Sequence, residues 1–155
     1  MQEAADPFEK LAAAGWRRVR SAGAFMSGAG PLWALREGES WCYAVWSTQA
    51  HLNPAGVVHG GLLATLADHA ISTVGWEAAG RSPCVTVQLD TQFLAPVTTG
   101  VLIEARAQLV RRTASLLFMR GLLQVEGREV LVAQALMKVH APAANASATS
   151  GQRPD

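Results

Sequence analysis

The sequence predicts an α+β domain in which a curved antiparallel β-sheet wraps around one long central helix. Two observations predict this fold. Residues 60–79 contain no proline and repeat leucine, alanine and isoleucine at helical spacing. Four β-rich stretches follow, joined by connections short enough to favour antiparallel neighbours. The helix is apolar nearly all round and must be covered, and a sheet curled around it is the simplest cover.

The N-terminal part predicts a helix, a loop and a hairpin in that order. Asp6 can accept hydrogen bonds from the free N–H groups of a first helical turn, and Pro7 suits that turn. Residues 23–30 are small and glycine-rich, which predicts a loop. Residues 32–36 and 41–46 predict two short strands around a tight turn.

The rest of the chain predicts four strands and a tail. The strands are expected at residues 84–93, 101–110, 115–125 and 129–140. The tail is rich in Ala, Ser, Thr, Pro and Gly and lacks apolar bulk, so we expect it to be disordered. The organisation is therefore an N-terminal helix and loop over residues 1–30, one domain over 31–140 and a disordered tail over 141–155.

The composition limits the partners and the compartment. The formal charge is +1, which gives no attraction to nucleic acid, and 50% of the residues are hydrophobic, which favours contact with another copy of the chain. The two cysteines, Cys42 and Cys84, show no metal-ligand spacing, and we expect neither a metal nor a cofactor. No signal peptide is apparent and no apolar run approaches about 20 residues, so we expect a cytoplasmic protein without membrane contact.

The residues that suggest chemistry lie between Asn53 and Asp68. Gly60 and Gly61 fall at the start of the long helix, where unpaired N–H groups and the positive end of the helix dipole point outward. Such donors can polarise a thioester carbonyl and stabilise the oxyanion formed when it is attacked. Alone, the glycine pair would more simply be explained as a tight turn into the helix.

Asp68 lies in the middle of the apolar helix, where a carboxylate is costly unless it is paired or kept for reaction. A structural aspartate bonded to Thr65 or Ser72 is an equally good interpretation of this position alone. Gly61 and Asp68 are seven residues apart, about 10.5 Å along a helix axis. Since reacting groups must approach within roughly 3.5 Å, we predict a composite site shared by two chains across a twofold axis.

The run Asn53-x-x-Gly56-x-x-His59-Gly60-Gly61, followed by Asp68, resembles the signature of hotdog-fold thioesterases of the phenylacetate-pathway (PaaI-like) type. The resemblance extends over the returning strands, roughly from residue 31 to residue 140. It implies the hotdog fold, a double-hotdog homodimer as the minimal unit, and a homotetramer as the usual assembly.

The resemblance also implies roles for individual residues. Asp68 corresponds to the nucleophile or general base, and Gly60 to the backbone donor to the thioester oxygen. Asn53 corresponds to a residue that binds the carbonyl or orients water, His59 lies close to the same oxygen, and Thr86 matches a hydroxyl that positions water. Taken singly, Asn53 could be a turn residue, His59 a histidine satisfied by the backbone and Thr86 an ordinary strand residue.

A second group of residues is expected to bind the substrate. Gly61 adds a backbone donor beside Gly60. Arg111, Arg112 and Thr113 are predicted to form a turn between two strands, where relatives often contact the phosphates of CoA, although an exposed basic turn without a ligand is as good an explanation.

The sequence therefore predicts an acyl-CoA thioesterase that releases free acid and CoA from an aromatic or medium-chain thioester. Two alternatives stay open. One is a hydratase or dehydratase acting on acyl thioesters, which would require a different histidine motif. The other is a non-catalytic protein that binds acyl-CoA, against which the presence of Asp68 speaks.

Overall fold

A computed structural model describes residues 6–140 of the chain, so the tail predicted over residues 141–155 lies outside the described part. Three α-helices, seven strands and a short 3-10 helix make up these residues. In chain order they are α1 (Pro7–Ala13), β1 (Arg17–Arg18), α2 (Gly23–Gly28), β2 (Leu32–Glu37), β3 (Ser40–Trp46), the 3-10 helix (Gln49–His51), α3 (Gly60–Ala78), β4 (Cys84–Phe93), β5 (Leu102–Arg112), β6 (Leu116–Val125) and β7 (Arg128–Val139).

All seven strands belong to one sheet. Their order is β1-β2-β3-β5-β6-β7-β4, and every neighbouring pair is antiparallel. α3 packs on this sheet and touches each strand from β3 to β7. The predicted architecture of an antiparallel sheet around one long helix is confirmed. Among residues 6–140, β4 pairs only with β7, so its other edge is left open by the described part of the chain.

α3 is held close to the sheet by one buried face. The buried residues recur at helical spacing, and they are Leu63, Leu66, Ala67, Ala70, Ile71 and Gly75. A Cβ added at Gly75 would lie 2.6 Å from Sδ of Met137 on β7, so the helix can sit this close only without a side chain there. Of the 19 residues of α3, only Gly61 and Trp76 are exposed, and the polar residues of its other face are half-buried.

β3 is buried on both sides because alternate residues of a strand point to opposite faces. Tyr43 and Val45 join the main core with α3, whereas Cys42 joins a second apolar cluster on the other face. α1 covers that cluster, where the ring of Phe8 stacks on Trp33 with 5.8 Å between ring centres. The N-terminal helix thus shields the outer face of one half of the sheet.

Two details of the chain differ from the sequence-based predictions. Residues 23–28 form the helix α2, not a loop, because burial of Met26 in the main core stabilises a turn of helix that local propensity does not favour. β5 also continues to Arg112, so Arg111 and Arg112 lie in a strand and not in a turn. A bulge after Leu109 lets pairing with β6 resume at these two arginines.

Candidate active site

Asp68 and Thr86 meet between the long helix and the edge strand of the sheet. Thr86 Oγ1 on β4 donates to Oδ1 of Asp68 on α3 at 2.8 Å. Ser72, one turn further along α3, places its Oγ 3.3 Å from the same threonine hydroxyl. Ser72 therefore contacts Thr86 and not the carboxylate, and within residues 6–140 no hydrogen bond occupies Oδ2 of Asp68. One carboxylate oxygen is therefore held by Thr86, and the other is without a hydrogen bond in these residues.

The loop before α3 is fixed by backbone hydrogen bonds. Asn53 N donates to the carbonyl of Val57 at 2.8 Å, and Oδ1 of Asn53 accepts from the Ala55 amide at 3.0 Å. Gly56 supplies the left-handed conformation that the turn requires, with φ of +78°. Asn53 therefore has the turn role that its sequence context favours, and its side-chain NH₂ group is the part that can still donate.

His59 caps the N-terminus of α3. Its Nδ1 accepts from the Gly61 amide at 2.8 Å, as expected for a histidine satisfied by the backbone. Because Nδ1 is the acceptor, the proton of the neutral ring is on Nε2, which can donate outward. The same hydrogen bond uses the Gly61 amide, which is one of the two backbone donors predicted to be free for a substrate. The amide of Gly60 has no hydrogen-bond acceptor within the described part of the chain.

Gly60 lies against Phe93, the last residue of β4. A Cβ added at Gly60 would be 3.0 Å from Cε1 of that ring. α3 and β4 therefore run in opposite directions, with Gly60 beside the end of the strand and Asp68 beside Thr86 near its beginning. The amide and the carboxylate are two turns of helix apart in one chain, about 12 Å by helical rise.

His69 also belongs to this region, although it was not among the residues predicted for the site. It directly follows Asp68 on α3, and both side chains line one cavity of about 400 Å³. The His69 ring packs edge-on against Tyr43, with 5.0 Å between ring centres. Burial lowers the pKa of His69, and the nearby Asp68 carboxylate partly opposes that shift. In the sequence, the adjacent Asp68 and His69 within an otherwise apolar helix were the signal that could have identified His69 as a residue of this region.

Arg111, Arg112 and Thr113 are adjacent but differ in their contacts. Nη1 of Arg112 donates to the Ala78 carbonyl at 2.7 Å and so ties β5 to the end of α3. Thr113 closes the turn to β6 by accepting from the Leu116 amide at 3.0 Å. In the described residues the Arg111 guanidinium has no hydrogen bond, which leaves it as the cation of this group that is available to a ligand.

The remaining side chains considered for chemistry are the two cysteines and any group that could hold a metal. Burial raises the pKa of Cys42 to about 12 and also raises that of Cys84, so neither thiol is set up as a nucleophile. No cluster of three or more metal-ligating side chains occurs in residues 6–140. Over the same residues, none of the helices combines the length and the hydropathy needed to cross a membrane. The cytoplasmic location stays a prediction.

The sequence model of the thioesterase superfamily matches residues 55–132, just over half of the chain and the part that carries the His59 cap, Asp68 and Thr86. The chain belongs to this superfamily. Among curated proteins, no sequence matches it.

Solved structures place this thioesterase-superfamily chain near PaaI. A mutant of the phenylacetic acid degradation protein PaaI from Thermus thermophilus is 26% identical, with a TM-score of 0.67, and the match covers 76% of this chain and 100% of that one. A phenylacetic acid degradation-related protein from Ralstonia eutropha is also 26% identical, with a TM-score of 0.61, covering 89% and 94%. The TT0310 protein, also from Thermus thermophilus, is 27% identical, with a TM-score of 0.67, covering 76% and 98%. The predicted PaaI-like resemblance and the hotdog fold are confirmed.

Proposed function

We propose that the protein is an acyl-CoA thioesterase that hydrolyses an aromatic or medium-chain acyl-CoA to the free acid and CoA. The observation that carries the proposal is the half-buried Asp68 carboxylate, held through one oxygen by Thr86 and open at the other. Burying part of a carboxylate costs free energy, and the hydrogen bond from Thr86 offsets that cost at only one of the two oxygens. Membership of the thioesterase superfamily and the likeness to PaaI supply the class of reaction.

The proposed chemistry needs an attacking oxygen and a site for the developing negative charge. Asp68 attacks the thioester carbonyl or removes a proton from the water that does so, and Thr86 orients the carboxylate. The free amide of Gly60, at the positive end of the α3 dipole, polarises the carbonyl and stabilises the oxyanion. Collapse of this intermediate breaks the C–S bond and releases CoA as the thiolate, which takes up a proton. If water made the attack, this step gives the free acid directly. If Asp68 made the attack, water then hydrolyses the acyl–Asp68 anhydride, which gives the free acid and restores the carboxylate. The Nε2 of His59 and the side-chain NH₂ group of Asn53 are the additional donors to that oxygen on this proposal.

The two halves of this chemistry are proposed to come from two chains. In one chain Gly60 lies at the Phe93 end of β4 and Asp68 at the Thr86 end. The open edge of β4 can pair with the same edge of a second copy. An antiparallel pair about a twofold axis brings the Phe93 end of one strand towards the Thr86 end of the other. The Gly60 amide of one copy would then approach Asp68 of its partner. A homodimer is the minimal active unit on this proposal, and a homotetramer is the expected assembly.

The nucleotide end of the substrate is proposed to bind near the end of β5. Arg111 is the cation for the CoA phosphates, whereas Arg112 and Thr113 hold the backbone around it through their bonds to Ala78 and Leu116. Arg111→Ala should raise KM for acyl-CoA more than KM for a small thioester without the nucleotide. Equal increases would contradict this placement.

Hydrolysis is tested with a thiol-release assay over a panel of acyl-CoA thioesters. Asp68→Asn keeps the shape of the side chain but removes its negative charge, and it should lower kcat by at least about a thousandfold. Thermal unfolding of the variant, compared with the parent, controls for folding. Near-normal turnover by Asp68→Asn would refute the mechanism. Tight binding of acyl-CoA without release of thiol by the parent would favour the non-catalytic alternative.

A further inference from the structure

The short helix α2 brings two apolar side chains to the cavity beside Asp68. Met26 is only 6% exposed and packs in the main core, so it anchors the helix. Its neighbour Phe25 is 77% exposed, although both residues line the cavity. Gly23 and Gly30, with φ of +81° and +104°, turn the chain into and out of this segment. α2 is therefore a fixed support from which an uncovered phenyl ring projects.

The cavity suits an uncharged, largely apolar group. Phe25, Met26, Ala64 and Leu89 give the lining its mainly apolar surface, and the polar side chains in it are Thr65, Asp68, His69 and Ser72. Beside the Asp68 carboxylate the lining contains no Lys or Arg, and burial lowers the pKa of His69, which favours its neutral ring. The anionic phosphates of a nucleotide would be repelled here, since no cation is available to pair with them. Of the two ends of an acyl-CoA, the acyl end fits.

We propose that this cavity holds the acyl group of the thioester and that Phe25 is a specificity-determining residue that covers it. The substrate class is then an apolar acyl group of the size of phenylacetyl or octanoyl, in preference to acetyl. The proposal rests on the proposed function, because the cavity adjoins the Asp68 carboxylate that would attack the carbonyl.

The volume of the cavity and the exposure of the Phe25 ring support this assignment. A volume of about 400 Å³ lies at the lower end of the roughly 300–1,000 Å³ typical of small-molecule sites. An acetyl group would leave most of that space empty, whereas a phenyl ring or an octanoyl chain would fill more of it. Covering this exposed ring removes apolar surface from water, which favours the larger acyl group.

Selectivity among thioesters tests the proposal. Phe25→Ala should lower kcat/KM for phenylacetyl-CoA and octanoyl-CoA roughly tenfold, the effect expected from loss of one apolar contact, while kcat/KM for acetyl-CoA changes little. Phe25→Leu, which keeps apolar bulk, should retain most of the preference. Trp76→Ala removes an exposed aromatic ring of α3 that does not line the cavity and is the matched control. An equal effect of Phe25→Ala on all three thioesters would overturn the proposal.

Binding of a thioester to a variant that cannot hydrolyse it tests this inference separately from the proposed function. In an Asp68→Asn background, Phe25→Ala should raise the Kd of phenylacetyl-CoA roughly tenfold and leave the Kd of CoA unchanged, as measured by calorimetry. If the parent hydrolyses none of the thioesters but this difference is found, the proposed function fails and the acyl site stands. If the parent is active but neither selectivity nor Kd depends on Phe25, the acyl site fails and the function stands.

Discussion

At the scale of the residue, a single substitution can remove the N–H group of Gly60 from the proposed site without shortening any side chain. Gly60 is the first residue of α3, a position where proline is well tolerated. The preceding residue, His59, has φ of −60° and ψ of 130°, the extended conformation that a following proline requires. Gly60→Pro therefore deletes one N–H group while the backbone stays compatible with the helix.

We expect Gly60→Pro to lower kcat by about 10²–10³-fold, the usual effect of losing one oxyanion donor. Gly60→Ala is the matched control because it also adds a Cβ next to Phe93 but keeps the N–H group. The Phe93 ring is 54% exposed and has room to shift, so the alanine variant should lose far less activity. Equal losses in steady-state assays of the two variants would assign the effect to crowding and not to the donor.

Single positions in the sequence predicted only part of the site. Asp68 could be recognised because a carboxylate is out of place in an apolar helix. Its bond to Thr86 could not be deduced from spacing, since it depends on how β4 docks against α3. The hydrogen bond from the Gly61 amide to His59 could not be predicted from the sequence either, because it depends on the rotamer of the capping side chain. Local patterns identify the groups but not their hydrogen-bond partners.

At the scale of the element, glycines set how closely α3 approaches the sheet. Gly75→Ala would place a methyl group 2.6 Å from Sδ of the fully buried Met137, and we expect it to destabilise the protein by about 1–3 kcal/mol. Gly28→Ala, at the end of α2, meets nothing within 4 Å and is the control. It should be neutral or slightly stabilising, because alanine favours helix. Chemical denaturation measures both, and a stabilised Gly75→Ala would contradict this account of the packing.

The sequence predicted the long elements, the first helix and the hairpin well, but not the short elements β1 and α2. The expected span of α3, residues 60–79, ends one residue beyond Ala78. The strand β4 was predicted with the observed bounds. α2 was missed because six residues form too few helical hydrogen bonds to stand alone, and its fold depends on burying Met26. Periodicity is informative only where an element is long enough to show it.

At the scale of the whole molecule, the decisive question is whether one active site needs two chains. Asp68→Ala and Gly60→Pro each remove one half of the proposed site. Randomly mixed chains form heterodimers in half of the dimers, and each heterodimer contains one intact site. Co-expression of the two variants should therefore restore about a quarter of the parent activity per subunit. Mixtures as inactive as the separate variants would show that both groups act within one chain.

The two thiols differ in burial, and this difference allows one of them to be labelled selectively. Cys42 is fully buried and its pKa is raised to about 12, whereas Cys84, the first residue of β4, is partly accessible. A maleimide spin label should therefore attach at Cys84 before Cys42 without any engineered cysteine. Distances between the spin labels on two copies would then give the separation between the first residues of their β4 strands. That separation would reveal the register in which copies of the chain associate.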